Sequence, residues 1–205
     1  MNDLEKKSSE SQTGLSVRLS KVASGAIAPR IGGAPDIDKC AEGTVLLLDT
    51  SSSMYDTISI HDTTRRIDAL RASIREVNLA KTVVLSFNSM VEEIKNIDHL
   101  TPSGTTNLHF ALDRARAYRP RQCIVVTDGE PTCSEDAIMQ AVNALSCPIS
   151  VIFVGDPENE DAIQICSLIA SSSGGQSGVQ SLSEVRQLTD RITALLCTSR
   201  EAICL

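Results

Sequence analysis

Aromatic side chains are nearly missing from this 205-residue chain, which has no Trp, two Tyr and three Phe. A core must then be built from aliphatic residues, and the surface lacks the platforms on which single-stranded bases stack. A basic surplus is missing too. Lys and Arg number 19 against 26 Asp and Glu, for a net charge of −7, whereas a protein that holds phosphate backbones carries a basic footprint. Nucleic acid is not expected as a partner. No run approaches the roughly 18 consecutive apolar residues that cross a bilayer, and the polar opening MNDLEKKSSESQ has no apolar centre of a secretory signal. The expectation is a cytoplasmic chain without membrane contact. The seven cysteines include no CxxC pair, which removes the usual zinc spacing. Cys123, Cys147, Cys166 and Cys197 lie in or beside apolar segments, where free cysteine behaves as a small hydrophobe. Also absent are a GxSxG elbow, a Walker loop and an HExxH helix, and His61, His99 and His109 fall in no catalytic motif.

What is present, at 41% apolar content, suffices for one domain with a proper core. Residues 1–40 are expected to form a disordered or extended N-terminal arm, 41–198 the domain and 199–205 a C-terminal tail. Within the arm, residues 1 to about 13 are charged and hydroxyl-rich, and Leu15 to Val22 alternates partly, as an edge strand pairing with another subunit would.

The domain is organised around Thr44 to Leu48, a continuous apolar run that stops abruptly at Asp49-Thr50-Ser51-Ser52-Ser53-Met54. Such a run reads as a strand buried on both faces whose carboxyl end opens into a polar crevice. In open α/β sheets ligands bind just beyond those ends. Downstream, an amphipathic helix is predicted from near Thr63, with Ile67, Leu70, Ile74 and Val77 inward and its arginines on a solvated outer face. Strands at Thr82–Asn88 and Val91–Ile97, separated by a short turn, read as a hairpin. Thr101 to Leu108 leads into the helix LHFALDRARAYR, where Thr105, Thr106 and Asn107 would ordinarily cap its first turn. The strand at Gln122–Val126 again ends in an acid, within Thr127-Asp128-Gly129. Helices at 135–145, 161–170 and 182–196 alternate with strands at 149–154 and 178–180, so βαβ crossovers should cover the sheet on both faces.

Three separated pieces thus converge on one rim: Asp49-x-Ser51-x-Ser53, Gly104-Thr105-Thr106-Asn107-Leu108 and Thr127-Asp128-Gly129. In this order and these contexts, the chain resembles a von Willebrand factor type A domain over about residues 41–198. The resemblance implies a Rossmann-like α/β fold, doubly wound, with a mainly parallel six-stranded sheet and one antiparallel edge strand. It also implies a metal-ion-dependent adhesion site. There Ser51 and Ser53 would bind the cation through their hydroxyls and Asp49 directly or through water. Thr106 would coordinate in the ligand-bound form, and Asp128 would act across a water. Ser52 and Thr105 stand where the family commonly has glycine, and a one-residue shift of the loop would make Thr105 the ligand instead.

Two carboxylates and three hydroxyls are hard oxygen donors suited to Mg²⁺, with Mn²⁺ or Ca²⁺ as substitutes. They leave room for an outside donor. A partner protein supplying an Asp or Glu side chain is the expected occupant, and a MoxR-type AAA ATPase is a partner that the family suggests. The function expected is a non-enzymatic, Mg²⁺-dependent binding module. An assembly protein that forms homo-oligomers through its arm is the alternative. A Mg²⁺-dependent phosphohydrolase with Asp49 as nucleophile is weaker, since the haloacid dehalogenase arrangement needs a second Asp where Ser51 stands.

Overall fold

The computed structural model describes residues 43–59, 61–129, 131–180, 182 and 184–201; the arm expected over 1–40 lies outside the described residues. The element order is β1 (Thr44–Asp49), α1 (Arg66–Arg75), β2 (Thr82–Phe87), β3 (Val91–Glu93), α2 (Leu108–Arg116), β4 (Gln122–Thr127), α3 (Glu135–Leu145), β5 (Ile149–Phe153), α4 (Glu160–Ser173), β6 (Ser177–Val179) and α5 (Val185–Glu201), with short 3-10 turns at Ser52–Tyr55 and Ile97–His99.

The six strands form one sheet in the order β3-β2-β1-β4-β5-β6. All neighbours pair in parallel except β2 and β3, which form the antiparallel hairpin. The fold is therefore α/β and Rossmann-like, as the alternation of strands and helices implied.

Strand period explains the two-sided core. Along β1, Val45 and Leu47 face a layer completed by α2, α3 and α4, while Leu46 and Leu48 face the layer of α1 and α5. All four side chains are fully buried, and each is worth about 1.5–3 kcal/mol relative to exposure. The chain first winds outward from β1 to β2 and β3, then returns to place β4 on the other side of β1. The carboxyl ends of β1 and β4 therefore flank the switch point, where neighbouring connections depart in opposite directions and leave a crevice.

Several boundaries differ from the sequence expectation, for local reasons. The first helix starts at Arg66 rather than near Thr63, because residues 57–65 close on themselves. Thr57 bridges Arg65 in antiparallel fashion, Ile58 N–H donates to Thr64 C=O at 3.0 Å, and Arg65 is extended at φ −72°, ψ 143°. β3 stops at Glu93, and Asn96 then opens a 3-10 turn by accepting from Asp98 N–H. α4 continues to Ser173, beyond the expected end at residue 170, and Gly174 ends it in the left-handed region at φ 79°. α5 begins at Val185 and runs past Leu196 to Glu201.

Candidate metal centre

Asp49 is the last residue of β1 and is wholly buried. Parallel pairing of Leu48 with Val126 sets the end of β1 beside the end of β4. There Thr127 Oγ1 donates to Asp49 Oδ2 at 2.6 Å. Its other oxygen, Oδ1, accepts from Ser51 N–H at 2.8 Å. Both donors are neutral. Burial, followed by the charge of Asp128, pushes the Asp49 carboxyl up to about 7.

A chain of oxygens leads outward from this floor. Ser51 Oγ and Ser53 Oγ lie 2.9 Å apart, and Ser53 Oγ donates to Asp128 Oδ1, also at 2.9 Å. Asp128 follows β4 directly, and its side chain has no exposed surface. Its second oxygen, Oδ2, accepts from Arg66 Nη1 at 2.9 Å. Arg66 is the first residue of α1 and retains 19% side-chain exposure.

The third segment closes the site from the side. A Cβ built on Gly129 would stand 3.8 Å from Ser53 Oγ and 3.9 Å from Thr106 Oγ1, so both hydroxyls border the small space before this glycine. Thr106 is 5% exposed. Thr105 is exposed and turns away, its hydroxyl 3.1 Å from Ser89 Oγ. The structure therefore brings Asp49, Ser51, Ser53, Thr106 and Asp128 together and leaves Thr105 outside. The capping role expected from the helix start is not what these residues do. Asn107 occupies the cap position of α2 without a side-chain cap bond and instead accepts from Thr132 Oγ1 at 3.1 Å.

Backbone bonds fix the three loops to one another. Thr50 N–H donates to Phe87 C=O at 2.8 Å, Ser103 N–H to Thr50 C=O at 2.8 Å, and Ser52 N–H to Gly104 C=O at 3.1 Å. Gly104 itself has φ 68°, the conformation that favours glycine. Neither Ser52 nor Thr105 has a positive φ, so side chains at these positions leave the loops unstrained.

The donor set fits a small hard cation. It contains two carboxylates, three hydroxyls and no nitrogen or sulfur, and Gly129 keeps open a space that a Cβ would fill. No group of three or more His, Cys, Asp or Glu side chains converges among the described residues, so a zinc-like set is not formed there. Any cation at this rim must draw on hydroxyls. When Asp49 is ionised, two carboxylates against the single guanidinium of Arg66 leave one negative charge uncompensated, on the side of Asp49.

Sequence reasoning missed two contributors. In sequence Thr127 merely flanks the acid, yet in the structure it holds Asp49. Arg66 belongs by pattern to the solvated arginines of α1, yet it pairs with Asp128. A signal did exist, because a basic residue in the first turn of a helix opposes the helix dipole and calls for an anionic partner.

Comparisons with known proteins add the following. No family model matches the chain, and no curated protein matches it. Among solved structures, it is similar to proximal thread matrix protein 1 from the mussel byssus, in its second crystal form. The two share 17% identity with a TM-score of 0.54, over 78% of this chain and 47% of that one. The likeness is one of fold. This chain spans about half of that protein's length, and function does not follow from fold alone.

Proposed function

We propose that this protein is a non-enzymatic, Mg²⁺-dependent protein-binding module of the von Willebrand factor type A kind. The observation that carries the reading is the oxygen chain Ser51–Ser53–Asp128 beside a buried Asp49 that has only neutral partners. Asp49, Ser51, Ser53, Thr106 and Asp128 would hold the ion, Asp49 directly or through water and Asp128 across a water. Bound there, Mg²⁺ supplies a coordination position open to an outside carboxylate.

The residues prepare that position. Thr127 and Ser51 N–H fix the rotamer of Asp49, and Arg66 fixes that of Asp128. With Arg66 included, two carboxylates, one guanidinium and Mg²⁺ sum to one positive charge. An Asp or Glu from a partner brings the set to neutrality, which favours an acid over a neutral donor.

The surroundings suit a protein rather than a small molecule. Among the described residues, the exposed large apolar side chains are Tyr55, Met90 and Val179. All three follow or end strands on the rim that carries the site, where such side chains serve as interface anchors. Ser51 stands where the haloacid dehalogenase arrangement needs a second Asp, which argues against the phosphohydrolase alternative.

Thermal unfolding tests the reading. Mg²⁺ at ~100 times its dissociation constant adds roughly 2.7 kcal/mol, which raises the Tm of a chain this size by about 5–10 °C. Asp49→Ala should abolish the rise. An unchanged response in that variant removes the site. The cytoplasmic location and the MoxR-type ATPase partner belong to the same proposal; the described residues contain no helix long and apolar enough to cross a membrane.

A further inference from the structure

Among the described residues, Asp49 and Asp128 are the buried charged side chains, and Asp128 is ion-paired with Arg66. Holding Asp128 in place does not by itself require a cation. The neighbouring acid shows this, since Asp49 is fixed by two neutral donors, Thr127 Oγ1 and Ser51 N–H. A guanidinium on the first residue of α1 also works against the helix dipole, a cost that a neutral donor would avoid. The position thus keeps a full positive charge where orientation alone asks only for a hydrogen-bond donor.

Geometry lets that charge act together with a bound ion. Arg66 Nη1 donates to Asp128 Oδ2, whereas the other oxygen, Oδ1, faces the hydroxyl chain through Ser53 Oγ. Two sides of one carboxylate therefore separate the guanidinium from the cation's donors, and both positive groups can be held at once. Arg66 keeps 19% side-chain exposure and lines a cleft of about 670 Å³, so its field reaches beyond Asp128. Asp156 and Glu158, which line the same cleft, are exposed and screened by solvent and salt.

We propose that Arg66 is the specificity-determining residue of this site: its charge lowers the affinity for the cation alone and raises the affinity of the loaded site for a carboxylate. The inference rests on the metal-dependent reading above. With both acids ionised, the empty site carries one negative charge with Arg66 and two without it, so the guanidinium offsets part of what attracts Mg²⁺. Once loaded, the site carries one positive charge with Arg66 and none without it. A positive site gains more from an acid than from a neutral oxygen donor; at a neutral site that advantage shrinks. A residue that only positioned Asp128 would act differently. Its loss would weaken both steps, whereas loss of the charge moves them in opposite directions.

The test uses the full chain at pH 8 as parent, Arg66→Gln and Arg66→Lys, with Arg66→Met as a second uncharged variant should the glutamine fail to fold. In calorimetric titration with Mg²⁺ alone, the uncharged variant should bind the ion about tenfold more tightly than the parent. Acetate and its neutral isostere acetamide are then titrated into Mg²⁺-saturated protein and followed by NMR. The parent should prefer acetate, and the uncharged variant should reduce the ratio of the two affinities about tenfold by weakening acetate binding. Arg66→Lys keeps the charge without the planar fork and should return both values to within about threefold of the parent. Equal or weaker Mg²⁺ binding in the uncharged variant, an unchanged acetate-to-acetamide ratio, or a lysine variant that behaves like the uncharged one overturns the proposal. A Mg²⁺-induced Tm rise that Asp49→Ala abolishes keeps the site reading in place when these results are negative.

Discussion

The carboxyl ends of β1 and β4 lie side by side, each bears an acid, and the two acids are neutralised in different ways. Asp49 accepts from neutral groups, among them a hydroxyl and a backbone N–H. Asp128 also receives a hydroxyl, but a guanidinium takes its second oxygen. The difference separates what the chain provides from what it leaves to a ligand. Around Asp128 the protein has installed its own cation. Around Asp49 it has buried a carboxylate without one, and a bound cation can relieve that.

Asp49→Asn should break the contrast most strongly. In EDTA at pH 8, the variant loses a buried charge whose ionisation is disfavoured up to about 7. A shift of that size corresponds to a few kcal/mol at ~1.4 kcal/mol per unit, so chemical denaturation should show a more stable protein. The same variant should no longer respond to Mg²⁺. Arg66→Met comes next. It strands Asp128 without a charged partner, an event that costs about 3–5 kcal/mol when a pair is fully buried. At 19% exposure of the arginine, roughly 2 kcal/mol is expected in EDTA, and less in Mg²⁺ because the ion replaces the lost charge.

The pH dependence of the chelated protein has a definite sign. Asp49 titrates near 3.8 when unfolded and near 7 when folded, so between these values the native state binds more protons. Stability should therefore fall as pH rises from about 4 to about 7, then level off. Saturating Mg²⁺ favours the carboxylate, and its stabilising increment should grow over the same interval. Urea midpoints at pH 5 and pH 7.5, with and without Mg²⁺, measure both trends. The smallest effects separate neighbours in one loop. Thr106→Ala should weaken Mg²⁺ binding several-fold in titration calorimetry, whereas Thr105→Ala, which loses only the contact to Ser89, should leave it unchanged.

The sheet and its acids were legible because apolar runs ending in Asp49 and Thr127-Asp128 declare buried strands with polar ends. Burial of β1 on both faces and period-3.6 burial in α1 followed from the same pattern. What was not legible came from contacts between distant segments. The late start of α1 depends on the bridge between Thr57 and Arg65, which no local propensity announces. Arg66 looked like its neighbours Arg71 and Arg75, yet those pair with Asp68 and Asp98 on the outside, and only tertiary placement turns Arg66 toward Asp128. Thr105 and Thr106 are adjacent and chemically alike. Which of them faces the site depends on the turn at Gly104 and on Ser89 across from it.

The bond from Ser52 N–H to Gly104 C=O ties the serine loop to the threonine loop through main chain alone. A visitor that tugs on one must drag the other, so the two behave as a single jaw whose shape is set before anything arrives. Replacing side chains on either loop alters the grip; only breaking the backbone tether would alter the bite.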